Sequence, residues 1–434
     1  MKNKRISLGI LLLISSNIFF QAQTKKNLSL NEAIDLGIKN SKSLKIDEAK
    51  VEEATANLLE AKNKQLPDFN VSGTYMYMPI KPNVNIKLPN MAGGAGPDVN
   101  QVMYGSANLS YPIFAGGRIK YGIESAKYLV EASKLSTEND KISVAYNIAQ
   151  AYNNLFKASQ AIKLLEESLT ASQKRDQSFI KLEDNGVIAR NDRLKAQLQT
   201  SNIEVQLLEA HNNYDIANIN MDLLLGLADN TEIEIDPNYI EEQNLQDDTY
   251  YLTEAFKNRK DKQALEYQQK AATLGTKAAK AENLPTIALT GGYVAADIPK
   301  VLTVTNAVNF GVGVQYNLAN IWKKNSNLGK SLAVEKQLEA SSELLNDNIT
   351  LNVKKDIQNE KLAYRKIDVY QRAVEQADEN YRITKNKFDN GLATMTELLD
   401  ADTAKLAAQV NLINSKADAT LAHKKLLQTT GTIN

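Results

Sequence analysis

At 434 residues the chain is long enough for two or three ordinary domains or one large duplicated one. Lysine plus arginine and aspartate plus glutamate each total 51, so no bulk charge points to nucleic acid or to a charged membrane surface. With no cysteine, disulfides, thiolate metal sites, cysteine nucleophiles and lipid attachment at a mature N-terminal Cys are removed, and neither His211 nor His423 sits beside another suitable ligand, so no metal or cofactor is expected.

Residues 1–22 differ from all that follows. Lys2, Lys4 and Arg5 precede the apolar run Ile6–Phe20, and Ala22 offers a small residue at a cleavage point. This reads as a secretory signal peptide, too short to span a bilayer comfortably. Its removal takes three basic residues and leaves a formal net charge of −3. No later stretch is apolar for long enough to form a transmembrane helix, so any membrane entry must use β-strands.

The first repeat is placed at 23–225. A helical pattern stops at Pro67, and strict alternation follows: Phe69, Val71, Gly73, Tyr75 and Tyr77 on one face, Asn70, Ser72, Thr74 and Met76 on the other. Residues 80–101 hold three prolines and Ala92-Gly93-Gly94-Ala95-Gly96 without the Lys-Ser/Thr ending of a phosphate cradle, and read as an exposed loop. The return strand sets Ala107, Leu109 and Tyr111 opposite Ser106, Asn108 and Ser110, giving a hairpin over 68–113. Pro112 cannot donate to a ladder and is expected to end the strand. Gly116-Gly117 frees the backbone to swing into a helix, and Arg118 suits an anchor at a membrane interface; an ordinary β-to-α turn explains the glycines equally well.

From Arg118 to about Glu183 the only glycine or proline is Gly122, and apolar residues recur at three-four spacing through Ile142, Ala145, Ala149, Tyr152 and Phe156. At a rise of ~1.5 Å per residue such a helix reaches roughly 100 Å, which implies coiled-coil packing. A tip near 184–192, turning at Gly186, leads to a second helix patterned through Ile203, Leu207, Ala210, Tyr214, Ala217, Met221 and Leu224. Residues 226–250 carry eight acidic side chains and no Lys or Arg, and read as a solvated connector.

The second repeat, 251–434, rewrites the first. Leu30-Asn31-Glu32-Ala33 recurs as Leu252-Thr253-Glu254-Ala255, Leu66-Pro67 as Leu284-Pro285, Leu109-Ser110-Tyr111 as Val314-Gln315-Tyr316, and Asp184-Asn185-Gly186 as Asp389-Asn390-Gly391. It predicts a helix, a hairpin over 286–318, a long helix from about Trp322 to Phe388, a tip near 389–397 turning at Gly391, and a helix from Met395 to Leu427. Alternation alone fits a soluble half-buried hairpin as well as a membrane one. The pairing of such strands with very long helices favours the membrane.

Several local patterns resemble the TolC-like outer-membrane efflux family over essentially the whole mature chain. They are the helix start Leu30-Asn31-Glu32-Ala33-Ile34, the strand approach Leu66-Pro67, the junction Tyr111-Pro112-Ile113-Phe114-Ala115-Gly116-Gly117-Arg118, and the tips Gly186 through Ala196 and Gly391 through Ala401. The resemblance implies a mostly α fold with transmembrane β: four strands per chain, pooled by a homotrimer into a twelve-stranded outer-membrane barrel, continued by a coiled-coil periplasmic tunnel. It implies a passive exit duct of a tripartite efflux or type I secretion system rather than an enzyme. The partners implied are outer-membrane lipid, a periplasmic adaptor (membrane fusion) protein and an inner-membrane RND or ABC-type pump, with no nucleic acid.

Matched by position, Asp400, Glu397 and Asp192 fall at the family's periplasmic gate, with Gly186 and Gly391 at the tips that meet the adaptor. Where the family's type member has an arginine in the second tip this chain has Ala393; Arg190 and Arg193 stand in the first tip as salt-bridge candidates. Thr394 and Glu397 equally fit a capping box, and Asn191-Asp192 a helix cap. Asp400, a turn deeper, has no capping role. The rival reading is a periplasmic coiled-coil scaffold or adaptor without a barrel.

Overall fold

A computed structural model describes residues 25–80, 82, 99–228, 231–236, 239–240, 246–299 and 301–433. The signal-peptide reading of 1–22 and most of the glycine-rich loop 80–101 lie outside the described residues. Helix makes up 71% of the described residues, so the class is mostly α. The elements run β1 (Lys25–Leu28), α1 (Leu30–Asn40), α2 (Lys42–Asn63), β2 (Asp68–Tyr77), β3 (Gln101–Phe114), α3 (Arg118–Asp184), α4 (Arg190–Leu225), β4 (Glu232–Ile235), α5 (Asp248–Asn258), α6 (Lys260–Ala281), β5 (Thr286–Ile298), β6 (Leu302–Gln315), a 3₁₀ turn (Leu318–Ile321), α7 (Ser326–Asp389) and α8 (Met395–Thr430). Two compact units divide them, one of residues 1–40, 150–241 and 370–417, the other of 41–149, 242–369 and 418–434.

The second of these units holds an antiparallel sheet in the order β2-β3-β5-β6, with β2 and β6 at its edges. Register follows the alternation of the sequence. Phe69 lies across from Leu109, Tyr111 from Leu289, and Leu289 from Val312, so these residues share one face. That face is apolar and bare: Phe69, Val71, Val312 and Phe310 are all exposed, Phe310 by 84%. The opposite face is polar. Asn70, Ser72 and Thr74 stand beside Ser106, Asn108 and Ser110, the Ser72 and Ser106 hydroxyls 2.8 Å apart.

Pro112 does not end β3. It pairs with Ala288, and the strand runs to Phe114 through a register shift between Pro112 and Phe114. A bulge is one of the few places where a strand tolerates a residue without an N–H. Elsewhere in this unit α5, α7 and α8 close a core of Tyr251, Ala255, Ile349, Val353, Ile357 and Leu426. Glu360, fully buried, is held 2.6 Å from His423 Nδ1. The long helix α7 begins at Ser326 rather than near Trp322, because the Asn325 side chain accepts the Leu328 N–H at 2.9 Å and caps it there.

In the other unit β1 and β4 pair in parallel, Lys25 opposite Glu232 through Leu28 opposite Ile235. The Lys25 ammonium sits 3.5 and 3.4 Å from Glu232 and Glu234. Tyr152 clips this pair to α3: its hydroxyl donates to the Leu28 carbonyl at 2.8 Å and accepts from the Asp236 N–H at 3.1 Å. Burial pushes the Tyr152 phenol up to about 12, so this donor stays in place across the physiological range. Tyr239 packs 5.1 Å from both Tyr152 and Phe156. The acidic connector, expected to be solvated and loop-rich with a brief alternation over Asn230–Ile235, supplies a strand there and the buried Ile233 and Tyr239. Its alternation of acid and isoleucine over Glu232–Ile235 presents acids to Lys25 and buries Ile233.

Candidate functional site: two helix tips and a strand-to-helix junction

The tips are built alike. Helix α3 ends where Gly186 adopts φ +71°, and α7 where Gly391 adopts φ +72°, both in the left-handed region open to glycine. The Val187 N–H then donates to the Leu182 carbonyl and the Leu392 N–H to the Lys387 carbonyl, each at 2.8 Å, closing the helix ends in the same way. The residues just past the glycines, Val187 and Leu392, are exposed by 66% and 77%. Behind the turns Phe179, Ala196, Met395, Leu398 and Leu399 form one core, with the Phe179 and Phe388 rings edge-on at 5.7 Å. This core ties α3 and α4 to α7 and α8.

The carboxylates differ in their surroundings. Glu397 is exposed and accepts the Thr394 N–H at 2.7 Å and the Thr394 hydroxyl at 2.9 Å, while its own N–H donates to that hydroxyl at 3.2 Å. It is a capping box, and the Thr394 N–H, then the hydroxyl, hold its carboxyl below the usual carboxylate range. Asp400 is exposed and makes no hydrogen bond or ion pair with any described residue. Asp192 lies 3.1 Å from Lys195, one turn along its own helix. The expected Asn191-Asp192 cap is absent: α4 is preceded by Ala189, which provides no side-chain cap.

Arg193 donates to Glu183 across the first tip. Arg190 is exposed at the first turn of α4 and makes no hydrogen bond or ion pair with any described residue. Sequence reading missed a third arginine. Arg175 donates to Asp402 at 2.6 Å, both side chains mostly buried, and Gln199 donates to Thr403 at 3.1 Å nearby. These bonds stitch the first helix pair to the second.

At the junction, Gly116 and Gly117 adopt φ +63° and +86°. A Cβ on Gly116 would lie 2.9 Å from Leu284, so the turn also demands closeness to the chain entering β5. Arg118 opens α3 and is exposed. With Glu60, Asp68, Ser110 and Thr286 it borders a hollow of about 1220 Å³ at the end of the sheet where the helices attach. Among the described residues no helix is long and apolar enough to cross a membrane, and no cluster of histidines and carboxylates has the makings of a metal site.

A search of curated protein sequences finds no match. Solved structures do match. The outer membrane protein VceC from Vibrio cholerae superposes with a TM-score of 0.78 at 18% identity, covering 93% of this chain and 96% of that one. The Campylobacter jejuni CmeC outer membrane channel gives 0.75 at 19% identity, over 93% and 85% of the two chains. The open-state Neisseria gonorrhoeae MtrE outer membrane channel gives 0.73 at 18% identity, over 93% and 88%. At such identities the likeness speaks for the fold. The model of one family, outer membrane efflux protein, matches residues 33–227 and 251–432, nearly the whole of both repeats, and the chain therefore belongs to the outer membrane efflux protein family.

Proposed function

We propose that the chain is one of three identical subunits of an outer-membrane exit duct. The observation that carries this reading is the sheet of β2, β3, β5 and β6. One face is apolar and bare, the other polar, and both edges lack a partner strand among the described residues. An apolar face of that kind suits lipid, and a sheet edge is not tolerated in hydrocarbon, so further copies must supply the missing pairing. Four strands per chain reach the usual even-numbered barrels when two or three chains combine, and the family membership favours three. The polar face, with Ser72, Ser106 and Asn108, then lines the pore.

The helices of both repeats form the periplasmic tunnel, and the tips are its inner mouth. Asp400, exposed and unpaired with any described residue, is the carboxylate free to face a narrow opening. Glu397, one turn away on α8, and Asp192, on the first tip, are already engaged, as a cap and with Lys195. Like charges gathered about a symmetry axis repel, attract cations and disfavour anions. Arg193 is engaged by Glu183, which leaves Arg190 as the first-tip arginine available to a neighbouring subunit. The exposed Val187 and Leu392 offer paired apolar contacts to a periplasmic adaptor, through which an RND or ABC-type pump would load the duct. A barrel-free periplasmic scaffold has no use for a bare apolar sheet face.

Fractionation tests the proposal. The full-length chain should appear in the outer-membrane fraction, resist salt and alkaline washes, and leave in detergent as a species of three chains by light scattering. Release by salt alone, or a detergent-free monomer, overturns it.

A further inference from the structure

The apolar face of the sheet does not stop where the strands stop. The register shift at Pro112 brings Phe114 opposite Ile287, so Phe114 shares the face of Tyr111 and Leu289. Beyond it, the first turns of α3 bring Ile119 and Ile123 to the same hollow as Ile113 and Phe114. That hollow, of about 550 Å³, has Lys120 and Lys127 on its margin. Ile113 and Phe114 are exposed by 56% and 45%. Lys120 and Lys127 are exposed, and neither has an ion-pair partner among the described residues. Glu124 stands between them, but with Arg118 the segment 115–130 remains net positive.

A second observation fixes what kind of surface this end of the sheet meets. Phe114, Thr286 and Gln315 all lie at the end where the helices attach. After β6, segment 316–334 carries Lys323, Lys324 and Lys330 and no acidic residue, next to the chain's single tryptophan, Trp322, exposed by 70%. Tryptophan beside lysines is the composition of a bilayer boundary, where an amphipathic ring sits at headgroup level and ammonium groups meet phosphates. An apolar shelf continuous with the lipid-facing sheet suits an acyl chain. Two lysines with no ion-pair partner at its margin suit a phosphodiester.

We propose that the shelf of Ile113, Phe114, Ile119 and Ile123, with Lys120 and Lys127, is a binding site for an anionic phospholipid of the periplasmic leaflet. The acyl chain lies along the isoleucines and the headgroup phosphate between the two ammonium groups. The inference rests on the duct reading, since it needs the sheet in a bilayer.

Titration of the detergent-solubilised full chain with a fluorescent phosphatidylglycerol tests it. In K120Q/K127Q the affinity should fall roughly 25-fold, about five-fold for each lysine. K354Q/K355Q, which removes the same charge from an exposed stretch of α7, should leave it unchanged. Unchanged binding in K120Q/K127Q, or an equal loss in K354Q/K355Q, overturns the site. Fractionating the same cells separates the two ideas: outer-membrane recovery with unaltered lipid binding removes the site alone, whereas a soluble chain removes the duct reading with it.

Discussion

Single side chains divide the tip carboxylates into structural and available ones. Glu397 completes a capping box, and its carboxyl is held below the usual range by Thr394. A group whose folded value is lowered contributes stability that is present above its unfolded value and is lost as pH falls through the folded value. Replacing Glu397 by Gln should therefore lower the thermal midpoint near neutral pH, and the gap to the parent should narrow as the pH falls below the ordinary glutamate value and close once it passes the lowered folded one. Asp400 makes no such bond. Asp400→Ala should leave the midpoint unchanged and instead reduce cation selectivity and block by multivalent cations in planar bilayers; unaltered selectivity would remove Asp400 from the constriction. Tyr152 is the converse case, a buried hydroxyl with two backbone partners. Tyr152→Phe strands the Leu28 carbonyl and the Asp236 N–H and should cost about 1–3 kcal/mol, read from denaturant unfolding.

Among the elements, the junction between β3 and α3 is the most exacting. Gly116 combines a left-handed backbone with contact to Leu284. Gly116→Ala should cost about 2 kcal/mol or more and lower the yield of folded chain in the outer membrane, while Gly122→Ala, inside α3 where a Cβ meets nothing within 4 Å, should not lower it and should stabilise by up to about 1 kcal/mol. The strands were legible in the sequence because a two-residue period ran unbroken between turn signals, and the long helices because breakers were missing over most of their length. The short strand β1 was not legible, since its cause is Glu234, 209 residues from Lys25. Arg175 and Asp402 were hidden for the same reason, standing 227 residues apart. The start of α7 was misread because Trp322-Lys323-Lys324 has no helix breaker, and only the Asn325 cap settles it. Of the tip residues, composition and spacing suggested the Thr394–Glu397 box; which carboxylate stayed unengaged required the fold.

For the whole molecule, duplication accounts for most of the architecture. Each repeat contributes one hairpin and one long helix pair, and β3 against β5 joins the two hairpins into a single sheet. The two tips close with the same backbone bonds yet differ in charge, the first carrying Arg190 and Arg193, the second Glu397 and Asp400. On the three-chain reading, basic and acidic tips alternate around the mouth. Arg190→Ala should then raise the resting conductance of the reconstituted channel; an unchanged closed state would show that Arg190 pairs with nothing across the subunit boundary.

The bare edges of β2 and β6 have a genetic consequence. On the three-chain reading each edge is met by a different copy of the same chain, so a subunit with a spoiled edge is not merely absent from the assembly but occupies a place in it. A proline in the middle of β6, for example Val312→Pro, removes a ladder donor where pairing is needed. Co-expressed at equal levels with the parent, such a variant should leave only about one in eight ducts free of it, so its phenotype should be dominant over the intact gene.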